Sequence, residues 1–283
     1  MSDIYKEDSP ELKSLFASVD AFSVTFLDTS NENICAFGSG TLCDFGLVSG
    51  IVTCAHVLDR WRKIGRAGIA THSHNSQNRH FPIEQAHDDI VLINSGNRSK
   101  NGPDLGFLRL SSQVRDLVKS RSSFLNGNER SAHARSGEPN SNKQFDFVIG
   151  SVEEFNTKER LDGELNFRTR TLLNHGYAAT METRGDYDYC IFQPGSPEPP
   201  LTLPASYGAT SGGGLWRFYF SKSVDGSLSF VDRRFSGVAF YETGGTPREI
   251  VCHGPRSVFS SMRKKLQEKW PEARGKETIR TVS

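Results

Sequence analysis

Most of this chain is divided into short runs rich in β-branched and aromatic residues, punctuated by Gly, Asn and Asp. Before residue 115 they read AFSVTFL from Ala21, then ICAFGSGTLCDFG, LVSGIVTCAH, HFPIE, IVLIN and LGFLRL. After residue 144 they read FDFVIG, ELNFRTRTLL, YDYCIFQ, GLWRFYF, LSFVDRRFSGVAFYE and REIVCHG. Runs of this length and composition predict strands of a meander or barrel, and they come in two groups of similar size. No repeat at a fixed period accompanies the two groups.

Residues 119–144 separate the groups and are dense in Ser, Asn, Gly and Arg with few large apolar side chains. Such a stretch reads either as a linker or as a long surface loop within one unit. Helices are expected only at the ends. Ser9 and Pro10 supply a cap and a first helical position, with Leu12, Leu15 and Phe16 at helical spacing behind them. After Gly254 and Pro255, the residues Val258, Met262, Leu266 and Trp270 recur four apart and predict an amphipathic closing helix. The organisation expected is a first β-rich half over 1–120 with its opening helix, a linker or loop over 121–144, a second β-rich half over 145–255, and a helix with a charged tail over 256–283.

Thirty-four Lys and Arg against 33 Asp and Glu leave a formal charge of +1, so no basic excess points to nucleic acid. No run of about 18 apolar residues predicts a membrane span, and the polar, acidic start lacks the features of a secretory signal. The cysteines Cys35, Cys43, Cys54, Cys190 and Cys252 are odd in number, scattered and without C-x-x-C spacing. Neither a disulfide framework nor a zinc site is expected, and a cytoplasmic setting follows. His72, His74, His80 and His87 fall in one polar stretch without a ligand spacing and read as a solvated loop. Arg263, Lys264, Lys265 and Lys269 read as the solvated face of the closing helix.

Three motifs carry chemistry. In Val52-Thr53-Cys54-Ala55-His56, a strand runs into a histidine at the start of a helical turn. In Asp104-Leu105-Gly106-Phe107-Leu108-Arg109-Leu110, an aspartate opens an apolar strand behind the loop signal Asn101-Gly102-Pro103. In Gly208-Ala209-Thr210-Ser211-Gly212-Gly213-Gly214, a serine sits in a glycine-rich turn that leads into a strand. A serine hydroxyl is a weak nucleophile, so it needs an imidazole to take its proton and a carboxylate to fix the imidazole's tautomer. It also needs donors for the charge that develops on the attacked carbonyl oxygen, for which the backbone N–H groups of Ala209 and Ser211 are placed. Asp89, before IVLI, is the other candidate acid, but it lies closer to His56 and lacks a small residue two positions on. None of this chemistry calls for a cofactor or metal.

The order His56, Asp104, Ser211, with intervals of 48 and 107 residues, together with the TCAH, DLGFLRL and SGGGLW motifs, resembles the trypsin-like, chymotrypsin-fold serine peptidases, particularly their bacterial intracellular branch. The resemblance covers roughly residues 20–260. It implies an all-β fold of two antiparallel six-stranded barrels, the first carrying His56 and Asp104 and the second Ser211. It also implies a serine endopeptidase working through an acyl-enzyme. The substrate would be a protein or peptide paired along the strand at Gly237, Val238 and Ala239, with a side-chain pocket based near Ala205 and Ser206, where no charge stands in the sequence. Two departures matter. Thr210 replaces the aspartate that in many secreted members binds a freed amino terminus, so no such zymogen switch is expected. Ala209 replaces a glycine where the turn calls for positive φ, which raises two alternatives: a hole completed by an activating or recruiting protein partner, and a protease-fold module that binds without cutting. A third reading is a hydrolase of small esters.

Overall fold

The computed structural model describes residues 10–30, 34–72, 79–83, 89–94, 102–129, 138–161, 164–168, 171–195, 204–224, 227–245 and 248–274. Helix α1, Pro10–Asp20, opens the chain and buries Val19. The first half is built from β1 (Ser23–Asp28), β2 (Cys35–Phe45), β3 (Val48–Thr53), β4 (Ala67–Thr71), β5 (Arg79–Pro82), β6 (Ile90–Asn94), β7 (Asp104–Arg109) and β8 (Leu125–Asn126). Two helices interrupt these strands, α2 (Ala55–Trp61) and α3 (Ser112–Lys119). The second half comprises β9 (Lys143–Ser151), the hairpin β10 (Thr157–Leu161) and β11 (Glu164–Arg168), then β12 (Thr171–Arg184), β13 (Tyr187–Pro194), β14 (Gly214–Lys222), β15 (Leu228–Glu242) and β16 (Ile250–His253). A π-helical turn, Ser257–Met262, leads into α4, Arg263–Lys269.

The protein is therefore all-β with short helices, as its strand runs predict. In the second half β12-β13-β16-β15-β14-β9 close into a six-stranded antiparallel barrel. The first half departs from a six-stranded barrel. Among the described residues it is an eight-stranded sheet in the order β5-β4-β1-β2-β3-β7-β6, with β8 laid parallel to β2. The extra strands come from segments too short or too small-sided to read as strands, AGIAT at 67–71 and Leu125-Asn126. Helix α3 was also illegible, because Ser111 caps it through Val114 N–H while only Val118 is fully buried.

The polar stretch after residue 120 is tied down wherever it is described. Ser123 donates its N–H to Ala21, and Leu125 is buried beside β2. Its centre, 130–137, lies outside the described residues. His72 corrects the solvated-loop expectation: it is buried, with Nε2 2.9 Å from Thr25 Oγ1, and burial pushes its imidazole below the ordinary histidine range. His74 and His87 lie outside the described residues, and of His80 only the backbone, in β5, is described. Among the described residues no helix is long and apolar enough to cross a membrane.

One apolar core runs through both halves. Phe26, Trp61 and Phe107 from the first join Trp216, Phe218 and Phe235 from the second. The closing segment strengthens the union, since Val258, Met262 and Leu266 are fully buried and Trp270 reaches back to the first sheet. There Trp270 packs 6.1 Å from Phe107, Lys269 Nζ donates to the Ile90 carbonyl, and Arg109 pairs with Glu272. Phe107 also meets Phe45 edge-on at 5.9 Å and is wholly buried. Phe107→Ala is expected to cost about 3–5 kcal/mol, read from urea unfolding, with both halves losing structure in one transition because they share the core.

Candidate active site

His56 stands in the first turn of α2, immediately after the fully buried strand β3. Val57, Leu58 and Trp61 of α2 are buried, so the helix cannot roll and its second residue is held at one edge of the core. Gly106 makes room beside it: a Cβ there would come within 2.8 Å of Leu58 Cδ1 and 3.1 Å of the Cys54 carbonyl. Strand β7 therefore lies close enough for Asp104, at its first position, to reach the helix start. One carboxylate oxygen accepts the backbone N–H of His56 at 2.9 Å, and the other lies 2.5 Å from His56 Nδ1. The first of these bonds satisfies a helix donor that has no partner within the helix. Asp104, and not Asp89, makes these bonds.

Burial alone raises the Asp104 carboxyl, but the bonds and charge of His56 outweigh it and hold the group below its ordinary range. An ionised carboxylate only accepts, so Nδ1 carries a proton toward it and Nε2 is left with its lone pair. Behind Asp104, its own N–H donates to Nε2 of His253 at 3.0 Å. His253 is a participant that sequence reasoning missed.

Ser211 comes to this region through the first half's strands. Ser39 of β2 donates its N–H to the Ser211 carbonyl at 2.7 Å and its hydroxyl to the Ala209 carbonyl at 2.7 Å. The same hydroxyl accepts Ser151 N–H of β9, and Thr53 Oγ1 donates to the Ser39 carbonyl at 2.6 Å. Gly212 is packed into this knot at φ 89°, where a Cβ would collide with the Ser39 carbonyl oxygen and Thr53 Oγ1. From the other side Ala239 accepts Gly212 N–H at 2.7 Å and also the thiol of Cys54, two residues before His56. Thr210 is buried, and its hydroxyl donates to the Ser151 carbonyl. The turn is thus anchored by neutral bonds at the position where an ion pair was not expected.

Ala209 adopts φ 66°, alone among non-glycine residues in the described chain, and its carbonyl and the following Thr210 N–H are both bonded, to Ser39 and Tyr207. The N–H groups of Ala209 and Ser211 bond to no described residue. Neither therefore has an acceptor among the described residues. Among the described residues no hydrogen bond joins the Ser211 hydroxyl to His56, so the structure joins His56 to Asp104 directly and brings in Ser211 only through the backbone.

The substrate edge was expected at Gly237, Val238 and Ala239. Val238 is paired on both sides, with Gly214 and His253, and Ala239 exchanges bonds with Gly212 and Gly213 while lying opposite Cys252. Gly237 pairs with Leu215 and abuts the His253 carbonyl. Their edges are used inside the barrel. The strand's β14 side is unpaired only from Phe240 to Glu242, where Tyr241 and Glu242 pair with β16 alone among the described strands. The pocket expectation changes too. Ala205 and Ser206 are exposed, but charges from distant positions surround them. Glu242 accepts Tyr207 N–H at 3.2 Å and pairs with Arg248 at 2.9 Å, Arg248 also donates to the Ala205 carbonyl, and Glu154 accepts Ala205 N–H.

Cys54, His56 and Asp104 present possible ligand atoms within 4.8 Å of one another. Their lone pairs and protons are already matched, the thiol to Ala239 and the imidazole to the carboxylate, so the group reads as hydrogen-bonded rather than as a cage built for an ion.

No family model matches the chain, and no curated protein is significantly similar to it. Among solved structures, one reported for aromatic interactions that drive coupled folding and binding of the intrinsically disordered Sesbania mosaic virus VPg protein is similar at TM-score 0.43 and 14% identity, covering 86% of this chain and 90% of that one. The drosophila Grass clip serine protease of the Toll pathway is similar at TM-score 0.46 and 10% identity, covering 88% of this chain and 70% of that one. At identities of 10 and 14% neither likeness bears on what this chain does.

Two outcomes follow from the geometry. The left-handed conformation of Ala209 costs an L-residue roughly 1–2 kcal/mol, so Ala209→Gly is expected to raise unfolding stability by up to about 1 kcal/mol once glycine's greater freedom when unfolded is subtracted. Burial pushes the His253 imidazole down to about 4 from 6.5. Below pH 6.5 the unfolded chain takes up a proton that the folded chain refuses until about pH 4, so stability falls as pH falls through that window. The decline amounts to about 1.4 kcal/mol per pH unit for one proton, His72 adding in the same direction, and His253→Phe is expected to flatten it in urea titrations at stepped pH.

Proposed function

We propose that this protein is a serine hydrolase that cleaves peptide bonds within polypeptides, with Ser211 as nucleophile, His56 as general base and Asp104 as the group that orients His56. The observation that carries this reading is the pair of bonds from one Asp104 carboxylate to the backbone N–H and Nδ1 of His56, which leaves Nε2 as the basic nitrogen. In the first step Ser211 Oγ attacks the substrate carbonyl carbon while its proton passes to Nε2. The N–H groups of Ala209 and Ser211 take the charge on the carbonyl oxygen, a contribution of about 2.7–4 kcal/mol per donor in such sites. Collapse expels the amine, which receives the proton from His56, and water attacks the resulting ester by the same route in reverse.

An extended substrate would add as a strand along Phe240–Glu242, the stretch whose outer edge carries no partner strand. A side chain entering beside Ala205 and Ser206 would meet the Glu242–Arg248 pair, so polar selectivity is expected although no charge stands there in the local sequence. A cytoplasmic setting and kinship with the bacterial intracellular branch rest on the sequence motifs and on the odd, scattered cysteines.

A latent or silent protease-fold module that binds peptides or a regulatory partner is the second reading. It is favoured by the lack of a hydrogen bond between Ser211 Oγ and His56 and by the alanine held at positive φ. A fluorophosphonate probe separates the two. Labelling of Ser211 in the isolated protein, abolished in Ser211→Ala with the fold intact by circular dichroism, supports the enzyme. Labelling only after addition of cell extract indicates latency, and none under either condition overturns the hydrolytic reading. In an active enzyme Asp104→Asn is expected to lower kcat by roughly 10⁴-fold by misorienting the imidazole, whereas Asp89→Asn leaves it unchanged.

A further inference from the structure

His253 ends β16, and its side chain is wholly buried. The ring stacks on Phe240 with centroids 4.4 Å apart and planes at 26°, and it leans on Tyr189 at 5.0 Å. An aromatic hydrocarbon would fill this space as well and cost less, because Nδ1 of His253 has no hydrogen-bond partner among the described residues. A buried polar atom left in that condition costs about 1–3 kcal/mol, so something else must account for an imidazole here. The other ring nitrogen supplies the reason. Nε2 accepts the backbone N–H of Asp104 at 3.0 Å, and since an acceptor nitrogen carries no proton, the proton is on Nδ1. The groups facing the ring are Asp104 from β7 and Asp188, Tyr189 and Tyr187 around β13, and burial keeps the ring neutral at physiological pH.

We propose that His253 is a positioning residue, whose Nε2 fixes the main chain from which Asp104 reaches His56, so that one buried histidine on the barrel of the second half sets the orientation of the imidazole on the first half. Asp104 is the first residue of its strand and follows a loop, so its backbone is not held by a continuing ladder on the N-terminal side. The bond to His253 closes that end. It also links the barrel that carries Ser211 to the strand that carries Asp104, and so couples the three groups in register. The effect on rate rests on the hydrolytic reading above; the effect on the His56–Asp104 bond does not.

The test compares His253→Phe, which keeps the stack and removes the acceptor, with His253→Gln, whose amide oxygen can take the place of Nε2. In the full-length protein the downfield proton resonance of His56 Nδ1–H reports the bond to Asp104. That resonance is expected to move upfield or vanish in His253→Phe and to persist in His253→Gln. kcat is expected to fall by about 10- to 100-fold in the Phe variant with KM unchanged, and to recover largely in the Gln variant. A Phe variant with the wild-type resonance and kcat overturns the proposal, and so does a Gln variant as impaired as Phe, which would show that the ring's packing alone matters. Should His253→Phe fail to fold, His253→Leu is read by the same two measures. If the wild-type protein neither hydrolyses peptides nor labels with fluorophosphonate, the hydrolytic reading fails, while the resonance comparison still decides the role of His253.

Discussion

A carboxylate drawn almost out of water has to be paid back in hydrogen bonds, and the placement of Asp104 organises much of this molecule. Its two oxygens take the backbone N–H and the Nδ1 proton of His56 at the start of α2, and its own N–H is taken by His253. Three elements remote in sequence, α2, β7 and β16, are thereby fixed to one residue. The glycine at 106 follows from the same demand, since any larger residue would hold β7 away from the helix and leave the carboxylate short of its donors.

The serine turn is held by different means. No charge anchors it. Ser39 contributes its amide, hydroxyl and carbonyl to four bonds that reach Ala209, Ser211, Ser151 and Thr53, and Thr210 is bonded inside the barrel. Neutral hydrogen bonds to backbone are each worth about 0.5–1.5 kcal/mol, so the knot is sufficient to keep one alanine in the left-handed region. It does so without a group whose ionisation would release the turn.

Much of the fold was readable because alternation and β-branched residues are strong local signals, and runs such as LVSGIV and GLWRFYF show them clearly. AGIAT at 67–71 and the start of α3 were not readable, because small or polar residues there form structure only when neighbours supply the pairing. His56, Asp104 and Ser211 stood out through their order along the chain. The choice between Asp104 and Asp89 turned on which could cap α2, a tertiary fact. His253, Ser39, Glu242 and Arg248 were not legible. His253 looks like the tail of the strand REIVCHG, and Ser39 like one polar residue of an alternating run; the only local hint was a histidine ending an apolar strand before Gly254-Pro255. Glu242 and Arg248 reach Ala205 and Tyr207 across more than 30 residues of chain, beyond any local pattern. The pairing on both sides of Val238 and Ala239 was not legible for a similar reason, since it depends on the closure of the barrel.

The return of Trp270 and Glu272 to the first sheet bears on the order in which the molecule is made. Phe107 lacks its Trp270 neighbour, and Arg109 its acidic partner, until residues 270–272 have been made. A nascent first half therefore displays His56 and Asp104 on an incompletely covered sheet, without His253 behind them. The Asp104 N–H thus gains its acceptor only once residue 253 is in place, and the first sheet its full cover only once residues 270–272 have followed.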